Sequence, residues 1–131
     1  MTEKTCNRLH QRYRSRVRRV FGPEYPVDNL DSADIDFLII QWKRRCCITF
    51  TRWNRSSGFE LAQWRHDKPV SVGNTVLLKK EFASVLDDLV LTKQDPTPEA
   101  LNISEEHFSR IEARLASMEQ WNPSPKDCSS L

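Results

Sequence analysis

The sequence of 131 residues predicts an α+β fold, in which a curved antiparallel sheet of about four strands is followed by a helix. Short β-prone runs with alternating polarity, separated by turn residues, occupy residues 36–78, and this pattern is typical of antiparallel strands. Residues 79–92 then change to helical periodicity. Because a sheet and helix of roughly 55 residues bury little surface, we expect a homodimer to complete the core.

The four predicted strands are residues 37–42, 45–53, 59–65 and 75–78. The second of them alternates most clearly, with Cys46 and Phe50 on the predicted inward face and Trp53 on the opposite face. The segment that follows it, residues 54–58, ends in a glycine and predicts a hairpin loop.

Two further helices are predicted, one near each end of the sequence. Residues 8–20 place Leu9 and Tyr13 at helical spacing among arginines, which predicts a basic amphipathic helix that folds against a partner. Residues 104–120 begin with Ser104, a good N-cap, and carry an apolar stripe. The predicted organisation is a basic and then acidic N-terminal tail and linker (1–35), a ββββα domain (36–93), and a proline linker, C-terminal helix and disordered tail (94–131).

Charge is segregated along the chain, although the net charge is only +2. Residues 1–20 contain seven basic residues and one acidic residue, and residues 42–68 contain seven basic and two acidic residues. The intervening residues 21–41 contain five acidic residues and no lysine or arginine, and they either fold back on the arginines or stay solvated. Two basic surfaces are the electrostatic signature of a nucleic-acid-binding protein. The basic tail comprises Arg12, Arg14, Arg16, Arg18 and Arg19, and a role in solubility or localisation is the alternative interpretation.

Aromatic residues interleaved with cations in the predicted sheet indicate a surface for single-stranded nucleic acid. Such a surface needs aromatic rings that stack on bases and cations that follow the phosphates. Trp53 and Trp64 are predicted on the same outward side of adjacent strands, although core packing is the alternative for either ring. Trp42 is predicted to pack in the core. The predicted nucleic-acid-binding residues are Lys43, Arg44, Arg45, Trp53, Arg55, Trp64, Arg65 and Lys68.

Residues from about 37 to 92 resemble the positive-cofactor-four family of single-strand-binding transcriptional coactivators. Residues 45–53 are similar to the second strand of that family, residues 59–65 to its third strand, and residues 72–82 to its glycine, short strand and helix-borne aromatic. The resemblance implies four curved antiparallel strands, one helix, dimerisation and binding of single-stranded DNA. Two features depart from the family: Gly73-Asn74 lacks the usual preceding cation, and the hairpin offers only Arg55.

Other classes of protein fit the sequence less well. It contains no phosphate-cradling glycine loop, no zinc-spaced Cys/His set and no nucleophile motif, so we expect no enzyme, cofactor or metal site. The acidic residues 31–36 with Glu60 offer a magnesium site for a nuclease, but a solvated linker explains them better. No apolar run approaches the roughly 20 residues of a membrane-spanning helix, so we expect no membrane partner. The start of the chain lacks the apolar stretch of a secretory signal.

The four cysteines lack the spacing of metal ligands. We therefore expect them to be reduced thiols in an intracellular protein.

The sequence therefore predicts a non-catalytic, homodimeric single-stranded DNA-binding protein, nuclear and active in transcription or replication. RNA is an open alternative ligand, because stacking does not depend on the sugar. The alternative function is a protein–protein interaction adaptor, of viral accessory or regulatory type, whose helices at 8–20 and 104–120 bind partners. In that case the basic tail would serve nucleic-acid binding or nuclear import.

Overall fold

The computed structural model describes residues 3–26, 30–53 and 58–120, and of residues 3–7 it describes the backbone alone. Over these residues the fold is α+β, with five helices and one two-stranded antiparallel sheet. The elements are α1 (Glu3–Phe21), α2 (Ser32–Gln41), β1 (Phe59–Gln63), β2 (Thr75–Lys79), α3 (Lys80–Leu91), α4 (Pro98–Leu101) and α5 (Glu105–Met118). The structure thus confirms the fold class and gives the sheet fewer strands than the sequence predicts.

The small sheet is covered by helices. Strand β1 pairs with β2 so that Phe59 lies opposite Lys79 and Gln63 opposite Thr75. Helix α1 packs on β1 and α2, helix α2 on β2, and helix α3 on both strands. Helix α5 packs on the 3-10 turn Val72–Asn74 that precedes β2. The third and fourth predicted strands and the helix that follows them are therefore confirmed.

The first predicted strand is wrong, because residues 37–42 lie in and just after helix α2. A capping box begins this helix: Asp31 Oδ1 accepts a hydrogen bond from the Asp34 amide, and Asp34 Oδ2 accepts one from the Asp31 amide, both at 3.0 Å. Ile35, Leu38 and Ile39 then face the core at helical spacing. Asp31 and Asp34 were predicted to be solvated or to fold back on the arginines, but they cap α2 instead. This cap favours a helix more strongly than the β propensity of residues 37–42 favours a strand.

The second predicted strand is also wrong, because residues 45–53 form an irregular loop with one isolated β-bridge, between Arg45 and Arg52. Phe50 has a φ angle of 63°, in the left-handed region, so extended backbone cannot continue through it. The Sγ atom of Cys46 lies 3.4 Å from the amides of both Ile48 and Lys79, which turns the loop onto β2. The predicted hairpin loop that follows lies largely outside the described residues.

Both terminal helices are confirmed, but their apolar stripes contact this chain's own core. Leu9, Tyr13 and Val17 of α1 are buried in the same hydrophobic cluster as Leu77 of β2 and Ile111 of α5. The cluster therefore draws on all three predicted segments of the chain. This removes the size argument for a dimer, since the sheet and α3 share one core with the helices on either side of them in the chain.

Arginines of α1 cover the open edge of β1. Hydrogen bonds from Lys80 N to Gly58 O and from Trp64 N to Asn74 O show that the even-numbered residues of β1 pair with β2. The carbonyl groups of Phe59 and Leu61 therefore face the open edge. They accept hydrogen bonds from the guanidinium groups of Arg12 and Arg16, respectively. These side chains block the edge against pairing with another strand.

No helix within the described part of the chain has the length and apolar character needed to cross a membrane.

Candidate functional site

The predicted binding residues fall into two separate regions rather than on one sheet surface. Lys43, Arg44 and Arg45 lie in the loop after α2, whereas Trp64, Arg65 and Lys68 lie beyond β1 beneath helix α5. Arg55 lies outside the described residues. The two regions differ in burial and in charge, and only the first has the properties of a binding site.

The first region is a groove of about 260 Å³ between the loop after α2 and helix α5, which we call the Phe50 groove. Four cations line it, namely Lys43, Arg45, Arg110 and Arg114. Among the described residues, no carboxylate lines the groove, although Glu106 pairs with Arg110 at its rim, at 2.6 Å. The groove is therefore strongly electropositive.

Phe50 stands at this groove with 56% of its surface exposed. Its ring lies 4.7 Å from the imidazole ring of His107, centroid to centroid, at an interplanar angle of 19°. Its carbonyl accepts a hydrogen bond from Arg45 Nη1 at 3.0 Å, and its amide donates to Cys46 O at 2.9 Å. A bulky residue in the left-handed region costs about 1–3 kcal/mol, and such strain concentrates at functional sites.

The end of α2 aims the cations of the loop outward. Lys43 and Arg44 have φ angles of 59° and 57°, and their amides donate back to Ile40 O and Ile39 O at 2.9 and 3.0 Å. These bonds satisfy the last carbonyl groups of the helix and turn the chain sharply. Consequently, Lys43, Arg44 and Arg45 are all exposed.

Helix α5 supplies the opposite wall of the groove. Ser104 caps this helix, as predicted, by accepting a hydrogen bond from the amide of His107 at 3.1 Å. The Nε2 atom of His107 lies 2.7 Å from Cys47 O, and because a carbonyl group only accepts, Nε2 is the donor. The Arg114 guanidinium lies 5.7 Å from the centre of the Trp42 ring and donates to Gln41 O. The ring of Phe50 therefore rests on an imidazole of fixed orientation.

The Cys47 thiol beneath the groove adds no negative charge to it. Cys46 and Cys47 are both buried and free of disulfide bonds. Burial raises the pKa of the Cys47 thiol well above its ordinary value, with the neighbouring Cys46 contributing in the same direction. The Cys47 thiol therefore stays neutral, and the positive charge of the groove is not reduced.

The second region, which we call the Trp64 cleft, has a volume of about 300 Å³. The predicted outward orientation of Trp64 is wrong, because its side chain is only 1% exposed. Helix α5 covers the ring: Trp64 Nε1 donates to Glu112 Oε2 at 3.2 Å, and the ring centre lies 5.4 Å from that of Phe108. Trp42 is also buried, as predicted, and donates to Thr75 O at 3.2 Å.

The cations of the Trp64 cleft are already paired with carboxylates. Arg65 contacts Asp67 and Asp95, each at 3.2 Å, and Lys68 contacts Glu119 at 2.7 Å. The hydrogen bond with Asp67 raises the pKa of Arg65, and the same bond lowers the pKa of Asp67. The carboxylates therefore neutralise both cations of this cleft, and little attraction for phosphate remains.

Three of the carboxylate and imidazole groups near Arg65 lie close together. The ligand atoms of His66, Asp67 and Asp95 are all within 4.8 Å of one another. However, Arg65 already donates hydrogen bonds to both carboxylates and neutralises part of their charge. The cluster is thus an ion-pair network, and we infer no metal site from it.

Trp53 lines neither of these regions and is half-buried. Its ring stacks on that of Phe59, with centroids 5.8 Å apart and an interplanar angle of 5°, and its amide donates to Arg44 O at 2.8 Å. The predicted outward ring is therefore packed partly against the core. One face of the indole is already used by Phe59.

The predicted basic tail is part of the folded helix α1. Arg16 forms two ion pairs, with its Nε atom 2.9 Å from Asp87 and its Nη1 atom 3.2 Å from Glu60. Burial raises the pKa of Asp87, while the nearby Arg16 guanidinium opposes that shift. Arg14 and Arg18 are partly buried and Arg19 is exposed. These arginines are therefore held at fixed positions along the helix rather than spread along a flexible tail.

Sequence reasoning missed the ring and the α5 side chains of the Phe50 groove. Phe50 was predicted to face inward, and His107, Arg110 and Arg114 were assigned no role. Helical periodicity does place these three α5 residues near one another, but no local signal reveals which loop the helix packs against.

A scan against models of known protein families, a search of curated proteins and a search of solved structures found no match for this chain.

Proposed function

We propose that the protein is a non-catalytic single-stranded nucleic-acid-binding protein that holds the strand in the Phe50 groove. The single observation that carries the proposal is an exposed, conformationally strained phenylalanine stacked on an imidazole ring and surrounded by cations. A ring in this position offers one free face to a base, and the cations offer contacts to the adjoining phosphates. The proposal keeps the ligand predicted from the sequence and moves its site away from Trp64.

The features of the groove favour a single strand over a duplex. Stacking on Phe50 requires a base whose face is free, and bases in a duplex are covered by their neighbours. Each stacked base contributes roughly 1–3 kcal/mol, independently of its identity. Lys43, Arg45 and Arg114 add contacts that depend on charge and weaken as salt rises. We therefore expect affinity with little sequence preference.

Single-stranded DNA remains the proposed ligand, with RNA as the alternative. We further propose a role in transcription or replication, a nuclear location and a homodimer. These finer proposals rest on the sequence pattern and on the resemblance to the coactivator family. The adaptor function is weaker, because the apolar stripes that would bind partners are buried in the core.

The proposal is tested by replacing Phe50 with asparagine. Asparagine tolerates the left-handed backbone conformation, so Phe50→Asn removes the ring without adding strain. We expect affinity for a labelled oligothymidylate of about eight nucleotides to fall roughly 5- to 150-fold, the equivalent of one stacked base. Fluorescence anisotropy at two salt concentrations measures this change.

Phe50→Tyr is the matched control, since it keeps an aromatic ring at the same position and is expected to preserve affinity. Equal affinities of Phe50→Asn and the unaltered protein would overturn the proposal, as would a failure of the unaltered protein to bind at low salt.

A further inference from the structure

A second electropositive cleft runs along helix α1. It has a volume of about 480 Å³. Four arginines line it at intervals of three or four residues, and we call it the α1 cleft: Arg8, Arg12, Arg16 and Arg19. Glu60 of β1 is the acidic residue that lines it. The cleft therefore carries an excess of positive charge along one face of a helix.

The four arginines differ in whether carboxylates of this chain already pair with them. Arg16 is held by Glu60 and Asp87, and its side chain is 13% exposed. Arg12 is 54% exposed and touches Glu60 more loosely, at 3.4 Å. Arg8 and Arg19 are exposed, and neither has an acidic partner within the residues that the structure describes. The two ends of the cleft thus retain unpaired positive charge.

A continuous line of contacts joins the α1 cleft to the Phe50 groove. Arg12 Nη2 donates to Phe59 O at 3.0 Å, and the ring of Phe59 stacks on that of Trp53. Trp53 in turn bonds through its amide to Arg44, which precedes Arg45 of the groove. The half-buried indole of Trp53 is therefore linked to both cationic sites, through Phe59 to Arg12 and through its amide to Arg44.

We propose that the α1 cleft binds the phosphate backbone of the same single strand that occupies the Phe50 groove. Arg8 and Arg19 make these distal phosphate contacts, and the two sites together determine how long a strand the protein covers. This inference rests on the proposed function, since it assumes that the groove binds the strand.

The dimensions of the cleft make the inference sensitive to ligand length. Arg8 and Arg19 are eleven residues apart in α1, which corresponds to about 16 Å along the helix axis. We expect a strand of about four nucleotides to occupy the Phe50 groove alone and one of about sixteen to reach the α1 cleft as well, since these lengths span the range of known single-strand sites. Only the longer strand therefore depends on Arg8 and Arg19.

The experiment compares short and long oligothymidylates on the full chain and on Arg8→Ala/Arg19→Ala. For the long strand, two lost phosphate contacts reduce the slope of log affinity against log salt by about 1.4 and lower the affinity roughly 10-fold at low salt. For the short strand we expect no change. Lys80→Ala/Lys93→Asn is the matched control, because it removes two positive charges from exposed positions outside the α1 cleft and the Phe50 groove, and asparagine tolerates the left-handed backbone at Lys93.

The outcomes separate this inference from the proposed function. If Phe50→Asn weakens both strands while Arg8→Ala/Arg19→Ala changes neither, the inference fails and the groove stands. Equal losses for short and long strands on Arg8→Ala/Arg19→Ala, or an equal loss in the control variant, also overturn the inference. If Phe50→Asn leaves the short strand bound as tightly as before, the proposed function itself fails.

Discussion

The Phe50 groove and the Trp64 cleft contain the same kinds of residue but differ in what surrounds them. Both combine aromatic rings with arginine and lysine, and helix α5 forms a wall of each. In the groove the phenyl ring is exposed and no described carboxylate lines the wall, whereas in the cleft the indole ring is buried and Asp67, Glu112 and Glu119 line the wall. Residue type alone therefore does not define a nucleic-acid site; exposure and the balance of charge decide it.

The largest expected effect concerns Trp64, whose role in this comparison is structural. Trp64→Ala removes a buried indole and its hydrogen bond to Glu112, so we expect the free energy of unfolding to fall by about 3–5 kcal/mol. Denaturant titration measures this change. The folded fraction should bind oligonucleotide as before, and a variant of unchanged stability that has lost binding would contradict our assignment of the cleft.

The next effect compares matched pairs of cations in the two regions. Lys43→Ala/Arg45→Ala removes two groove cations, and the slope of log affinity against log salt should fall by about 1.4. Arg65→Ala/Lys68→Ala removes the same charge from the cleft, where carboxylates already neutralise it, so the slope should stay unchanged. Equal slopes of log affinity against log salt for the two variants would mean that the nucleic acid does not bind the Phe50 groove in preference to the Trp64 cleft.

A gain of binding is expected when the carboxylates of the cleft are neutralised. Asp67→Asn/Asp95→Asn/Glu119→Gln releases Arg65 and Lys68 from their ion pairs. Because each released cation near the surface contributes on the order of 1 kcal/mol or less, affinity for oligonucleotide should rise only a few-fold. Anisotropy titration measures the rise, and the triple variant combined with Arg65→Ala should lose part of it. An unchanged affinity would show that the carboxylates are not the reason why the Trp64 cleft binds oligonucleotide weakly.

The smallest effect is the titration of Asp67. Its pKa is lowered chiefly by the hydrogen bond from Arg65, so its contribution to stability is present above the pKa of the unfolded chain and is lost as pH falls through the lower folded value. Arg65→Ala should return the pKa of Asp67 toward its ordinary value near 3.9. NMR titration of the carboxyl carbon measures this shift, and an identical pKa in both proteins would show that the pair does not form in solution.

Elements with a strong local signal could be predicted from the sequence. Helices α3 and α5 follow a clear helical period, and Ser104 marks the start of α5. The prediction of a strand at residues 37–42 was wrong because these β-prone residues also fit helical spacing, and Asp31 caps a helix that includes them. Both Trp64 and Phe50 were assigned to the wrong environment, since their exposure depends on where α5 docks, and that contact spans more than 40 residues of chain.

Photocross-linking tests the central claim most directly. Oligothymidylate carrying 5-iodouracil is irradiated in complex with the full chain, and the attached peptide is identified by mass spectrometry. We predict adducts on Phe50 or His107, with loss of the adduct in Phe50→Asn. A complex that cross-links at Trp64 or the residues around it, and not at the loop after α2, would contradict the account.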